Sequence, residues 1–160
     1  GDREKKLEIL KDPRCGAFAV IRLCTYFLAY FCVAFCIRFS PRVGLCWTLA
    51  LVLERGLSGL AVAAFPMAKN TGLAHTFATA ADRESVQKIL IVLSILLAAA
   101  LIALGGGALV AAALLVLWRY HHVAVKEFGG ITGDLAGWFL QKAEFWMLAA
   151  LAASQWGGIL

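Results

Sequence analysis

From residue 17 onward, long apolar stretches alternate with short polar ones. Five stretches, Ala17 to Ile37, Gly44 to Ala68, Val86 to Leu104, Gly106 to Val125 and Leu135 to Leu160, each come close to the roughly 20 residues that carry a helix across a bilayer core about 30 Å thick. The expected architecture is all-α, a polytopic transmembrane bundle of about five spans forming a single membrane domain over residues 1–160. Gly105-Gly106-Gly107 alone joins the third and fourth spans, which predicts a tight helical hairpin. The small residues Ala98 to Ala100 and Ala111 to Ala113 predict close approach of its two arms.

The polar positions are patterned too. Residues 3–12, Arg-Glu-Lys-Lys-Leu-Glu-Ile-Leu-Lys-Asp, read as a short amphipathic helix within an interfacial segment 1–16, and Pro13 stops it. Glu4 and Glu8 share a face at i,i+4, where like charges need an offsetting partner such as Lys11. Internal pairing is the simpler reading, and a divalent metal held by Glu8 and Asp12 is the alternative. Residues 129–134, Gly-Gly-Ile-Thr-Gly-Asp, form a polar hexapeptide between the fourth and fifth spans. Gly129, Gly130 and Gly133 remove bulk and let backbone amides approach a ligand, while Asp134 sets charge at the mouth of the next helix. Thr132 or Asp134 is expected to cap that helix, but a cap does not account for three glycines. The hexapeptide therefore reads as a ligand site.

Composition removes the soluble alternatives: 62 % of the residues are hydrophobic and 11 % aromatic. The chain opens on Gly1-Asp2 without an initiator Met or signal peptide, so it is expected to be part of a longer polypeptide. Basic residues orient the spans. Arg3, Lys5, Lys6, Lys11, Arg14, Lys69, Arg83, Lys88, Arg119 and Lys126 fall on one side, against Arg38 and Arg42 on the other. This puts the N-terminus, the 69–88 loop and the hexapeptide on the cytoplasmic face. The net charge of +5 then describes a basic cytoplasmic surface, suited to anionic lipid headgroups or to a phosphate-bearing substrate. Cys15, Cys24, Cys32, Cys36 and Cys46 lack a CxxC pair and read as buried thiols, and His121 and His122 decorate a span end.

Ionisable residues within spans are the remaining signal. Glu54 and Arg55 lie near the middle of the second span, where an unpaired charge costs about 2.5–3.5 kcal/mol, so both should face the bundle interior. Adjacent residues diverge by about 100° on a helix, so they are not expected to neutralise each other. Arg55 is expected to pair with Glu144 or to meet a substrate. Asp134, Gln141 and Glu144 fall within roughly 80° of one helical face, a polar stripe running inward from the hexapeptide.

Three segments resemble the cobalamin synthases, or adenosylcobinamide-GDP ribazoletransferases, a family of multispan bacterial inner-membrane enzymes. Arg3 to Phe18 is similar to that family's Arg-Glu-Arg-x-Leu-Glu-Ile-Met segment and the residues after it. Arg55-Gly56, Ala68-Lys69 and Gly72-Leu73 are similar to its Gly-Arg span and the following loop, and Gly129 to Asp134 matches its Gly-Gly-x-Thr-Gly-Asp. Pro13, Met67 and Gln141 depart from the family pattern. An acidic motif that the family carries ahead of this region is not in the chain, which leaves open whether the chain alone is active.

The resemblance implies the joining of α-ribazole, or its 5′-phosphate, to the adenosylcobinamide phosphate group of adenosylcobinamide-GDP with release of GMP and with Mg²⁺ present. It implies Asp134 and Glu144 as catalytic carboxylates, and Asp134, Glu8 and Asp12 as metal ligands. Arg3, Lys11, Arg14, Arg55 and Lys69 would contact phosphates, with Gly129, Gly130, Thr132 and Gly133 shaping a backbone cradle and Glu144 buttressing Arg55 or a ligand hydroxyl. The expected partners are the two substrates and membrane lipids, with no nucleic acid and a homo-oligomer left open. The expected location is the bacterial cytoplasmic membrane. A transporter or channel component is the alternative, but it calls for polar residues leading to the outer face, which is nearly bare of charge. A CDP-alcohol transferase would need a dense aspartate repeat, and an inert scaffold leaves the polar clustering unexplained.

Overall fold

The computed structural model describes residues 2–10, 12, 14–68 and 82–160. Among them run six α-helices: α1 (Arg3–Ile9), α2 (Ala17–Phe35), α3 (Pro41–Ala64), α4 (Arg83–Ala103), α5 (Gly107–Val123) and α6 (Gly133–Trp156). A π-helical turn, Ala124–Phe128, continues α5. The fold is an all-α helical bundle.

Local chemistry fixes the helix ends. Ser40 caps α3 by accepting from the Val43 N–H at 3.2 Å, with Pro41 at the first helical position. The helix therefore starts ahead of the expected Gly44. It stops at Ala64, short of the expected Ala68, because Phe65 precedes Pro66 and turns extended at φ −82°, ψ 155°. Arg83 Nε (2.5 Å) and Gln87 Nε2 then donate to the Ala63 carbonyl, which ties the start of α4 to the end of α3.

The core lies among α3, α5 and α6. Val43, Cys46, Ala50, Leu53, Leu57 and Ala61 form a buried stripe on α3 at helical spacing. Leu109, Ala113, Val116 and Tyr120 form one on α5, and Leu135, Phe139, Ala143, Met147 and Leu151 one on α6. Lipid is as apolar as these side chains, so close packing at small residues such as Ala50, Ala113 and Ala143 holds the helices together. The Gly105–Gly107 hairpin forms, with Gly105 at φ 89° and the Gly106 N–H donating to the Leu101 carbonyl at 2.7 Å. Its arms nevertheless pack less extensively on each other than α5 does on α6 or α3 on α4. Ala99 and Ala100 point outward, against the expected close approach, and Ala113 turns to the core.

Among the described residues four elements, α2, α3, α4 and α5 with its π-helical continuation, are long and apolar enough to cross a membrane. The expected fifth span, α6, has the length at 24 residues, but Gln141, Lys142, Glu144 and Gln155 make it too polar for that count. No residue of α2 is buried. Its Phe18, Phe27, Phe31 and Phe35 are exposed, and it leans on α6 through Tyr26 and Tyr30. At the far end of the bundle, the Arg38 N–H donates to Gln155 Oε1 at 2.9 Å and Gln155 Nε2 donates to the Arg38 carbonyl at 2.7 Å.

Candidate active site

The hexapeptide sits where the end of α3, the π-helical turn and the start of α6 converge, and α1 packs against that turn. Gly129 closes the turn in the left-handed region at φ 77°. Ile131 then pairs with Met67 in a parallel bridge, its N–H donating to the Pro66 carbonyl at 2.8 Å and its carbonyl accepting from the Ala68 N–H at 3.0 Å.

The three glycines serve different ends. A Cβ on Gly130 would lie 2.5 Å from the Pro66 oxygen and 2.6 Å from the Ala68 nitrogen, so this glycine permits backbone contact within the fold. A Cβ on Gly129 would lie 3.5 Å from Arg3 Nη1, which places the Arg3 guanidinium over the turn. Around Gly133 nothing comes within 4 Å, so packing does not require its missing side chain.

Of the two candidate caps, Thr132 takes the role, its Oγ1 accepting from the Leu135 N–H at 3.3 Å. Asp134 stands exposed in the first turn of α6, and among the described residues it has no hydrogen bond or ion pair. It is a free carboxylate where the helix dipole favours negative charge. An ion pair of Lys6 with Glu127 fastens α1 to the π-helical turn. The N-terminal segment and the hexapeptide thus meet at one end of the bundle.

Other expected site residues are placed elsewhere. Asp12 is held by Arg14, whose backbone N–H, Nε and Nη2 donate to it at 3.0, 2.9 and 3.0 Å, and this keeps its carboxyl below the usual range. Glu8 is exposed on α1. Among the described residues no three His, Cys, Asp or Glu side chains gather as a metal site, so Glu8, Asp12 and Asp134 do not form one together. Asp134 and Glu144 are ten residues apart on α6, about 15 Å of helical rise, and do not meet at one reacting atom. Glu144 accepts from the Tyr30 hydroxyl at 2.7 Å instead of pairing with Arg55.

Arg55 turns to its neighbour Glu54, Nε to Oε1 at 3.5 Å, contrary to the expected divergence, because both side chains are long enough to curl back along the helix. That contact lacks hydrogen-bond geometry, and both oxygens of the fully buried Glu54 are without a hydrogen bond. Arg55 is 62 % exposed at its side chain rather than interior. Lys11, Lys69, Pro13 and the Gly72-Leu73 pair lie outside the described residues.

The sequence reading missed the Met67–Ile131 bridge, the Lys6–Glu127 pair and the roles of Tyr26 and Tyr30. The tyrosines had a signal in their i,i+4 hydroxyls on a largely apolar helix.

The sequence model of the cobalamin-5-phosphate synthase family matches residues 1–152. The chain belongs to that family. Among curated members, an adenosylcobinamide-GDP ribazoletransferase of Lachnoclostridium phytofermentans is 38 % identical over 153 residues, covering 94 % of this chain and 57 % of the relative. The enzyme of the same name from Pseudomonas syringae pv. tomato is 31 % identical over 153 residues, covering 95 % and 62 %. One from Geobacillus sp. is 31 % identical over 152 residues, covering 91 % and 58 %. The chain thus spans 57–62 % of the length of these family members. No solved structure matches it.

Proposed function

We propose that the protein is an adenosylcobinamide-GDP ribazoletransferase and that this chain supplies one wall of its active site. In the proposed reaction a hydroxyl oxygen of α-ribazole, or of its 5′-phosphate, bonds to the phosphorus carried by adenosylcobinamide. The pyrophosphate P–O bond to GMP breaks as this bond forms, and the hydroxyl proton is released to water. Such transfer asks chiefly for positioning and for charge stabilisation around the phosphorus.

Asp134 carries the reading. It is a carboxylate with no structural partner among the described residues, and it stands at a helix start beside a glycine that packing does not require. Arg3, over Gly129, is the cation placed to meet a phosphate at the same turn. A lone free carboxylate suits Mg²⁺, which commonly binds one or two carboxylates together with substrate phosphates. Asp134 would hold the ion, which when bound would neutralise developing charge on the pyrophosphate. Gly133 leaves the backbone at the turn open while Thr132 caps α6, and Glu144 ties α6 to Tyr30 of α2 at a distance from the turn. The excess of basic residues at this end supports a cytoplasmic face in the bacterial inner membrane.

The test supplies membranes containing the full-length protein with adenosylcobinamide-GDP, α-ribazole and Mg²⁺, and scores GMP. Release above membranes lacking the protein is expected, and none would overturn the reading.

A further inference from the structure

A cavity of about 640 Å³ lies between α2, α5 and α6, and its chemistry differs from that of the hexapeptide. Three cations line it: Arg22 from α2, Arg119 from α5 and Lys142 from α6. Trp138 and Trp146 flank Lys142 one helical turn to either side, and Val116 lies one turn from Arg119, so each helix presents a single lining face. Among the described residues no carboxylate lines the cavity. Among the described residues none of the three cations makes a hydrogen bond or ion pair, although charges within apolar spans usually pair.

The depth of these groups limits what they can meet. Arg22 lies about 7.5 Å of helical rise from the start of α2, Lys142 about 13.5 Å from the start of α6, and Arg119 about 13.5 Å from the end of the π-helical turn. All three ends belong to the same end of the bundle, so the cations stand about 7–14 Å of helical rise below it, with Arg22 and Arg119 exposed and Lys142 half-buried. Two guanidinium groups and an ammonium converging at that depth match an anion with several acceptor oxygens. The indoles supply an amphipathic wall suited to the glycerol backbone of a lipid or to a nucleobase.

We propose that Arg22, Arg119 and Lys142 form a phosphate-binding pocket that takes the phosphate of an anionic membrane lipid or of a nucleotide. This pocket shares no residue with the site proposed around Asp134, and either assignment can fail without the other. Both sources share one chemistry, a phosphoryl group beside an apolar or aromatic body.

The test is native mass spectrometry of the full-length protein in detergent with added dioleoylphosphatidylglycerol, dioleoylphosphatidylcholine or GMP. The wild type is expected to retain an anion, and Arg119→Gln with Lys142→Gln to weaken retention by about tenfold or more. The charge-conserving pair Arg119→Lys with Lys142→Arg is expected to restore it. Retention of phosphatidylglycerol over phosphatidylcholine identifies a lipid phosphate, and retention of GMP with the same variant dependence identifies a nucleotide. Retention that the glutamine pair leaves unchanged, or GMP retention lost only with Arg3→Gln, overturns the proposal. Where the glutamine pair does not fold, Arg22→Gln on the exposed helix α2 is read alone against the same two outcomes.

Discussion

Tyr30 donates its hydroxyl proton to Glu144 at 2.7 Å from a helix that has no buried residue of its own. With the Tyr26 hydroxyl on the Gln141 carbonyl at 3.3 Å and the Tyr26 ring 6.0 Å from that of Phe145, this contact holds α2 against α6. A hydrogen bond between membrane helices contributes about 0.6 kcal/mol on average and about 1.7 at most. Tyr30→Phe should therefore lower stability by about that amount in a detergent unfolding titration. An unchanged midpoint would mean that α2 docks without it.

Gly130 and Gly133 stand three residues apart and should respond oppositely to alanine. At Gly130 a methyl meets the Pro66–Ala68 backbone, so Gly130→Ala should cost about 2–4 kcal/mol and separate Ile131 from Met67. At Gly133 the space is open, and an alanine there should leave stability equal or raise it by up to about 1 kcal/mol. Melting temperatures of the two variants decide it. If Gly133→Ala melts normally yet releases less GMP, the open space belongs to a ligand.

Asp134 has no partner among the described residues to lose. Asp134→Asn should alter stability by less than about 1 kcal/mol, the scale of a charge at a helix N-terminus. In the proposed role it should cut GMP release by about 10²–10³-fold, as loss of a charge-stabilising group at a reacting phosphate does. Retained turnover would return Asp134 to a merely solvated position.

Asp12 titrates below the usual carboxylate range because Arg14 donates to it from side chain and backbone. A depressed folded value means that the pair's contribution is complete above the unfolded value of about 3.9 and is lost as pH falls through the lowered one. Carbon-13 NMR of labelled aspartate should show no titration of Asp12 between about pH 5 and 8. Arg14→Gln should move the titration upward. An identical curve in that variant would show that Arg14 is not its cause.

Four of the five expected spans were legible because apolar runs of membrane length have few alternatives, and the hexapeptide stood out because polar glycine-rich sequence is rare between such runs. Contacts between distant segments were not legible. Gly130 looked like part of a ligand cradle, but its lack of a side chain admits the Pro66–Ala68 backbone, and no local pattern announces that partner. Glu144 was expected on Arg55 or on a ligand hydroxyl, because charge complementarity is visible in sequence. The Tyr30 hydroxyl reached it instead, since α2 lies against that face of α6. Thr132 and Asp134 were both eligible caps, and only backbone geometry at the Leu135 N–H separates them.

Both ends of α6 are tied, one through Ile131 to Met67 and the other through Gln155 to Arg38. Its 24 residues make a strut about 36 Å long. A strut clasped at both ends cannot tilt without moving both clasps. A shift at the Arg38 clasp is thereby transmitted along α6 to the turn that carries Asp134.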